Sequence, residues 1–308
     1  MDKISEKIIA RHFLISVYSE IERDPFLSLY YQEYHDTLEN IKLTYDRRIT
    51  MQSNITTEES FTLLGEYLKE FYPVFYDYYQ THRKEKVVIY DRELLYNYIN
   101  KKDNLLNYDV PFLTIEEARD LLIGEALYNS QSNIIMATNY HNLRLACNLI
   151  HEYTHLFHFS LTSNYDNESF LNLYSEYLAY LNTFYFQEYL ETLGYSKDTA
   201  MVYRDSTAII EQEINIFKLT DKFYQTGELS SEDFTKLSKA LASHNIPLLD
   251  YEHIIAYLMA DYNYKTTKEK PLTERCLDLD FALEKIVNKR LLRETGLDLQ
   301  DKRLLKHL

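Results

Sequence analysis

The sequence predicts a mainly α protein with one small β element, and three observations carry that prediction. Five glycines and five prolines in 308 residues are too few for a sandwich or barrel, which must turn tightly after every strand. Apolar residues recur at helical spacing along most of the chain. One short β-prone run, residues 133–138 (NIIMAT), is bounded by polar residues on both sides and is the best strand candidate.

Composition narrows the class further. Hydrophobic residues at 45% and aromatics at 15% argue for a globular chain, long enough to bury a large core. A net charge of −15 would repel a phosphate backbone, so no nucleic-acid partner is expected. The beginning of the chain, MDKISEKIIARHF, is charged throughout and lacks the apolar centre of a signal peptide. No stretch approaches the roughly 18 uninterrupted apolar residues of a membrane span. Cys147 and Cys276 form neither a disulfide framework nor a C-x-x-C pair. A reduced, cytoplasmic protein with no membrane partner is the expectation. The 30 tyrosines and absent tryptophan read first as a coding bias.

Residues 4–46 carry apolar positions at helical spacing, broken at Asp24-Pro25, and predict a helical hairpin. After a polar stretch, Thr57 with Glu58, Glu59 and Ser60 predicts a helix start, acidic in its first turn. Leu63, Leu64, Tyr67, Leu68 and Phe71 continue that helix to Pro73, where a kink is expected. Residues 86–110 are ambiguous: VVIY is β-prone, and RELLYNYINKKDNLL is helical in pattern. Thr114-Ile-Glu-Glu predicts a capped helix running through ARDLLIGEALY. Asn139 or Asn142 can cap the helix after NIIMAT, with His141 at its entrance as a cap neighbour. A long helix then runs from about Ser169 to Gly194, a good residue for a left-handed C-terminus. Two helices joined by GELSSEDF fill residues 200–245. Pro247 precedes another helix with Tyr251, His253 and Tyr257, and the tail from about Thr273 is charged and helical. Residues 1–110 form an N-terminal helical region and residues 111–308 a catalytic region with C-terminal helices, unless the two are one continuous domain.

The chemistry lies at His151-Glu152-Tyr153-Thr154-His155. On a helix, His151 and His155 stand one turn apart on one face. Two imidazoles at that spacing can hold one Zn²⁺, with Glu152 beside it as general base for a water. With 10 histidines in the chain, roughly 0.03 accidental matches to H-E-x-x-H are expected. A catalytic zinc needs a third protein ligand and an open position. In metzincins the third ligand is the last His of H-E-x-x-H-x-x-G-x-x-H; that position is Leu161, which excludes the class. Glu176 is the candidate instead, in Tyr-Ser-Glu-Tyr-Leu-Ala past a polar turn that can fold the next helix back. That is gluzincin-like spacing. A strand, the motif helix and a glutamate helix are the layout zinc hydrolysis needs, the strand edge binding an extended peptide.

HEYTHLFH followed by SEYLAYLNTFYFQEYL resembles the core of the thimet oligopeptidase and oligoendopeptidase F family of zinc peptidases. The resemblance implies a mainly helical, zincin-like catalytic core with a small edge strand or sheet, acting on peptide or protein substrates. It implies ligand roles for His151, His155 and Glu176, the base role for Glu152, and matches His158 to an additional family histidine. Near the C-terminus, HIIAY resembles the segment that supplies hydroxyl donors to the tetrahedral intermediate. On it Tyr257 matches a donor and His253 lies one turn earlier. Tyr257 as a core aromatic fits equally, with Tyr251 as a substitute donor. Thr154 departs from the family's usual glycine. The chain is about half the length of typical members, so their restriction to short peptides does not carry over. Cys147, one turn before His151, is expected to be a packed core thiol.

The leading expectation is a zinc metallopeptidase. The alternatives are a regulatory gluzincin that cleaves a specific protein such as a repressor, and a degenerate peptidase that binds without cleaving. Cleavage preference and oligomeric state are not legible in the sequence.

Overall fold

The computed structural model describes residues 52–100, 126–129, 133–161, 168–244 and 251–285, together with Leu14, Leu43, Tyr45, residues 48–50, Ala118 and Leu121. Among the described residues there are nine helices and three short strands. The expected hairpin at 4–46 lies outside them except for Leu14, Leu43 and Tyr45; so do the helix start at Thr114 and the tail beyond residue 285.

Helix α1 (Thr57–Phe71) begins at Thr57, as expected, with Thr56 as its N-cap. The Thr56 Oγ1 accepts the Glu59 N–H, and the Glu59 carboxylate accepts the Thr56 N–H, a reciprocal capping box. The expected kink at Pro73 is instead a break. Helix α1 ends at Tyr72, and α2 (Pro73–Lys86) starts with Pro73 in its first turn, where a missing N–H and a fixed φ cost nothing. The chain then runs through β1 (Val87–Asp91), α3 (Arg92–Asn100), β2 (Ala126–Asn129) and β3 (Ile134–Asn139). The ambiguous VVIY is therefore a strand followed directly by a helix. The tail of GEALY, expected to be helical, is strand β2.

The sheet order is β1-β3-β2, with β1 parallel and β2 antiparallel to β3. NIIMAT thus forms the centre of the sheet, and its edge on the antiparallel side is β2. Both faces of β3 are covered. Ile135 and Ala137 point into the main core, while Met136 joins Tyr90, Leu95, Ala118 and Leu121 in a smaller cluster opposite. That double burial explains a strand of near-continuous apolar character. Because β1 precedes residue 110 and β3 follows it, the sheet runs across the expected regional division, and so does the main core.

After β3, Asn142 caps α4 (Leu143–Leu161) by accepting the Arg144 N–H at 3.0 Å. Helix α5 (Glu168–Thr192) ends where Gly194 adopts φ 97°, the left-handed turn that favours glycine. Helices α6 (Ser196–Thr226) and α7 (Ser231–His244) follow. Ser230 caps the second of these through the Asp233 N–H. Helices α8 (Tyr251–Thr267) and α9 (Leu272–Lys285) complete the described fold. No helix among the described residues is long and apolar enough to cross a membrane.

Helix α5 is the axis of the molecule, packed against both α4 and α8. Tyr174, Tyr177, Leu178, Leu181, Phe184, Tyr185, Phe186, Tyr189 and Leu190 are all buried along it, and so is every residue from Ile254 to Ala260 of α8. A helix apolar on every side is a helix enclosed by others. Two polar clusters tie α5 to its neighbours away from the sheet. The Asn182 Oδ1 accepts the hydroxyls of Tyr67 (2.8 Å) and Tyr72 (3.2 Å), while its Nδ2 donates to Thr154 Oγ1 at 2.8 Å. Further along, Arg275 of α9, 2% exposed, pairs with Glu188 at 2.5 Å and donates from Nε to the Lys270 carbonyl at 3.1 Å.

Candidate metal centre

His151 and His155 lie on the face of α4 turned to α5, one turn apart, with ring centroids 4.9 Å from each other. Helix α5 packs against α4, which brings Glu176 beside the two imidazoles. The His151 Nε2 lies 3.2 Å from Glu176 Oε2 and the His155 Nε2 3.2 Å from Glu176 Oε1. Ligand atoms of all three side chains fall within 4.8 Å of one another. A tetrahedral ion about 2.0–2.1 Å from each donor needs those donors roughly 3.3 Å apart. Two imidazole nitrogens and a carboxylate oxygen are also the donor set that suits zinc. The residues present therefore fit a metal of this kind.

Each ligand side chain is held in place by its surroundings. The His155 Nδ1 is 2.7 Å from the buried Ser175 Oγ, which leaves the Nε2 facing Glu176; a ligand imidazole is usually oriented through its other nitrogen in this way. The ring of His151 packs at 4.8 Å and a steep 67° against Tyr180, one turn after Glu176. From α8, His253 brings its Nε2 to 3.2 Å from Glu176 Oε1. Its side chain is 39% exposed against 15% for His151 and 7% for His155, so the cluster opens to solvent on the α8 side.

The electrostatics separate the two glutamates. Burial pushes the Glu152 carboxyl up to about 7, helped by the charge of Glu176 and opposed by His151, His253 and a main-chain hydrogen bond from Tyr128 of β2. Burial also raises Glu176, but the charges of His253 and His155 and hydrogen bonds from His151 and His155 outweigh it, holding the carboxyl well below its ordinary range. One carboxylate is held charged by the histidines around it, while its neighbour is poised to exchange a proton near neutrality.

Of the sequence-predicted residues, His151, Glu152, His155, Glu176 and His253 are brought together. Tyr257 is not brought to them by its hydroxyl. That group lies 2.6 Å from Thr207 Oγ1 of α6, and the residue is fully buried, with its ring against Tyr180 and Phe184. Tyr251 starts α8, and its side chain lies outside the described residues. His158 is buried beside Tyr174, and burial with the nearby His155 lowers its pKa to about 3. Cys147 is buried, which pushes its thiol far above the usual range. His141 sits at the α4 entrance with φ 52°, its N–H donating to Asn139 Oδ1 at 2.9 Å.

Thr154, where a glycine was expected by resemblance, has a structural account. Its hydroxyl donates to the Ile150 carbonyl and accepts from Asn182, so it fastens the motif helix to α5 beneath the metal ligands. The sequence reading did not find Ser175, Tyr180 or Tyr128. Position offered a signal for the first two, immediately before Glu176 and one turn after it. Tyr128 acts through its main chain and leaves no side-chain signal. Comparison of the chain with protein-family models, curated proteins and solved structures gives no match.

Proposed function

We propose that the protein is a zinc-dependent metallopeptidase with a zincin-like core, His151, His155 and Glu176 holding the metal and Glu152 acting as general base. The observation that carries this reading is the convergence of both motif imidazoles on one carboxylate at 3.2 Å, with a protonatable glutamate beside them. A fortuitous pair of core histidines would have no reason to share a charged partner. A bound zinc polarises the scissile carbonyl and makes a water nucleophilic near neutral pH.

The chain's own residues supply the rest. Glu152, tuned to about 7, takes a proton from the attacking water and delivers it to the leaving amine. Strand β2 supports substrate placement: it is the antiparallel edge of the sheet, packs on α4, and meets Glu152 through Tyr128. An extended peptide adding to that edge would pass along the ligand helix. His253, on the open side, is placed to donate to charge that develops on the carbonyl oxygen. The buried Tyr257 hydroxyl favours a packing role for that residue. The likeness to thimet oligopeptidase and oligoendopeptidase F, a cytoplasmic setting and peptide or protein substrates belong to the same proposal.

The test is metal analysis of the purified chain together with Glu152→Gln. About one zinc per chain, hydrolysis of a quenched peptide library, and a variant that keeps its zinc but loses ~100- to 10,000-fold in rate are expected. An active E152Q variant would sink the mechanism. Failure to take up zinc after supplementation would sink the metal reading.

A further inference from the structure

We propose that Tyr180 is a positioning residue of the metal centre, setting the ring planes of His151 on α4 and His253 on α8 from its place on α5. The inference rests on the metal-site reading above and adds a residue to it.

Tyr180 lies one helical turn after Glu176, on the same side of α5. Three rings meet it at steep angles. His151 stands 4.8 Å away at 67°, His253 6.2 Å away at 87°, and Tyr257 5.2 Å away at 84°. Tyr180 is half-buried, whereas Tyr257 behind it is fully buried and fixed through Thr207. The contact thus has a rigid back and two imidazoles in front. Tilted aromatic pairs of this kind are favourable because the electron-poor edge of one ring meets the electron-rich face of another.

The two motif histidines are therefore held by different means. His155 is fixed by a hydrogen bond from Nδ1 to Ser175, and His151 by ring packing on Tyr180. Among the described residues, the polar partner of the His151 ring is Glu176, itself a ligand. Its plane must be set by something that remains when both turn to an ion, and Tyr180 is so placed. The same ring reaches His253, so a single side chain of the glutamate helix aligns groups from both neighbouring helices.

The experiment compares Tyr180→Phe, Tyr180→Leu and, as a control, Phe184→Leu. Phe184 packs on Tyr257, Tyr203 and Tyr264, so F184L loosens the same core without touching either imidazole. Zinc affinity is measured by competition with a chromophoric chelator, and the visible spectrum is recorded after cobalt substitution. Y180L is expected to bind zinc about tenfold more weakly, the scale of a lost outer contact to a ligand, with an altered cobalt spectrum. Y180F should retain the wild-type affinity and spectrum, since the ring is what acts. F184L should lower thermal stability and leave both metal readouts unchanged. If Y180L does not stay folded, Tyr180→Met, flexible and ringless, serves the same comparison. A ringless variant that binds zinc within about twofold of wild type, or F184L moving the metal readouts equally, overturns the proposal. Wild-type protein that takes up no zinc removes the metal reading itself and this inference with it, a result distinguishable from tight wild-type binding with an indifferent Y180L.

Discussion

The two halves of helix α5 carry polar groups in contrasting arrangements. In its C-terminal half, Asn182 is matched by Tyr67, Tyr72 and Thr154, and Glu188 by Arg275. Around Asn182 donors meet acceptors, as buried polar groups in a stable core do. Arg275 offsets the charge of Glu188, although Glu188 Oε2 and Arg275 Nη1 have no hydrogen-bond partner among the described residues. In its N-terminal half, Glu176 faces His151, His155 and His253 at once. Three imidazoles from two helices converge on one carboxylate, and the cluster is partly open to solvent. Beside it stands Glu152, buried and raised to about 7. A cluster whose donors and acceptors match holds helices together; imidazoles converging on a carboxylate are a donor set able to take a metal ion.

Breaking each cluster should give opposite signatures. Glu176→Ala is the largest expected effect. Peptide hydrolysis should fall to background, and zinc affinity should drop by more than the about 100-fold that outer contacts are worth. The variant should still melt no lower than chelated wild type, because the carboxylate serves the ion and not the packing. Thermal melts with and without chelator check both halves. Arg275→Ala should do the reverse. It leaves Glu188, 21% exposed, without its cation. Removing one partner of a buried pair costs about 3–5 kcal/mol, so a loss of up to that size is expected, read by urea unfolding. Zinc affinity of the folded fraction should not change. A loss of zinc from R275A without loss of stability would collapse the distinction.

The same contrast explains what was legible beforehand. The candidate metal triad was legible because coordination demands particular residue types at a helical interval, and His253 was singled out by the resemblance of HIIAY to a known segment. Helix ends were legible where chemistry punctuates them, at Gly194, at Asn142 as one of two candidate caps, and within GELSSEDF. Strand β2 was not, because four half-buried residues show no clear alternation at the end of a helical pattern. The break at Pro73 depended on Tyr72 being able to end one helix and open the next. Tyr180 and Tyr257 could not be ranked among 30 tyrosines, since α5 and α8 are enclosed on nearly every side and offer little contrast between faces. Which hydroxyl turns toward the site is decided by neighbours such as Thr207, distant in sequence.

The smallest expected effect sits where the two kinds of burial meet. His158 lies one turn beyond His155 but belongs to the core, and burial lowers its pKa from the ordinary 6.5 to about 3. The folded state thus keeps this imidazole neutral where the unfolded chain takes up a proton. Below the unfolded value the unfolded state binds more protons, so stability falls as pH drops from about 6.5 toward 3. The slope approaches about 1.4 kcal/mol per pH unit, or about 2 kcal/mol between roughly pH 7 and pH 5. His158→Phe removes that contribution. In chelated protein, the difference in urea-unfolding free energy between about pH 7 and pH 5 should be about 2 kcal/mol smaller for H158F than for wild type. An unchanged difference would mean that His158 accepts a proton within the fold. It would then belong with the converging cluster and not with the core.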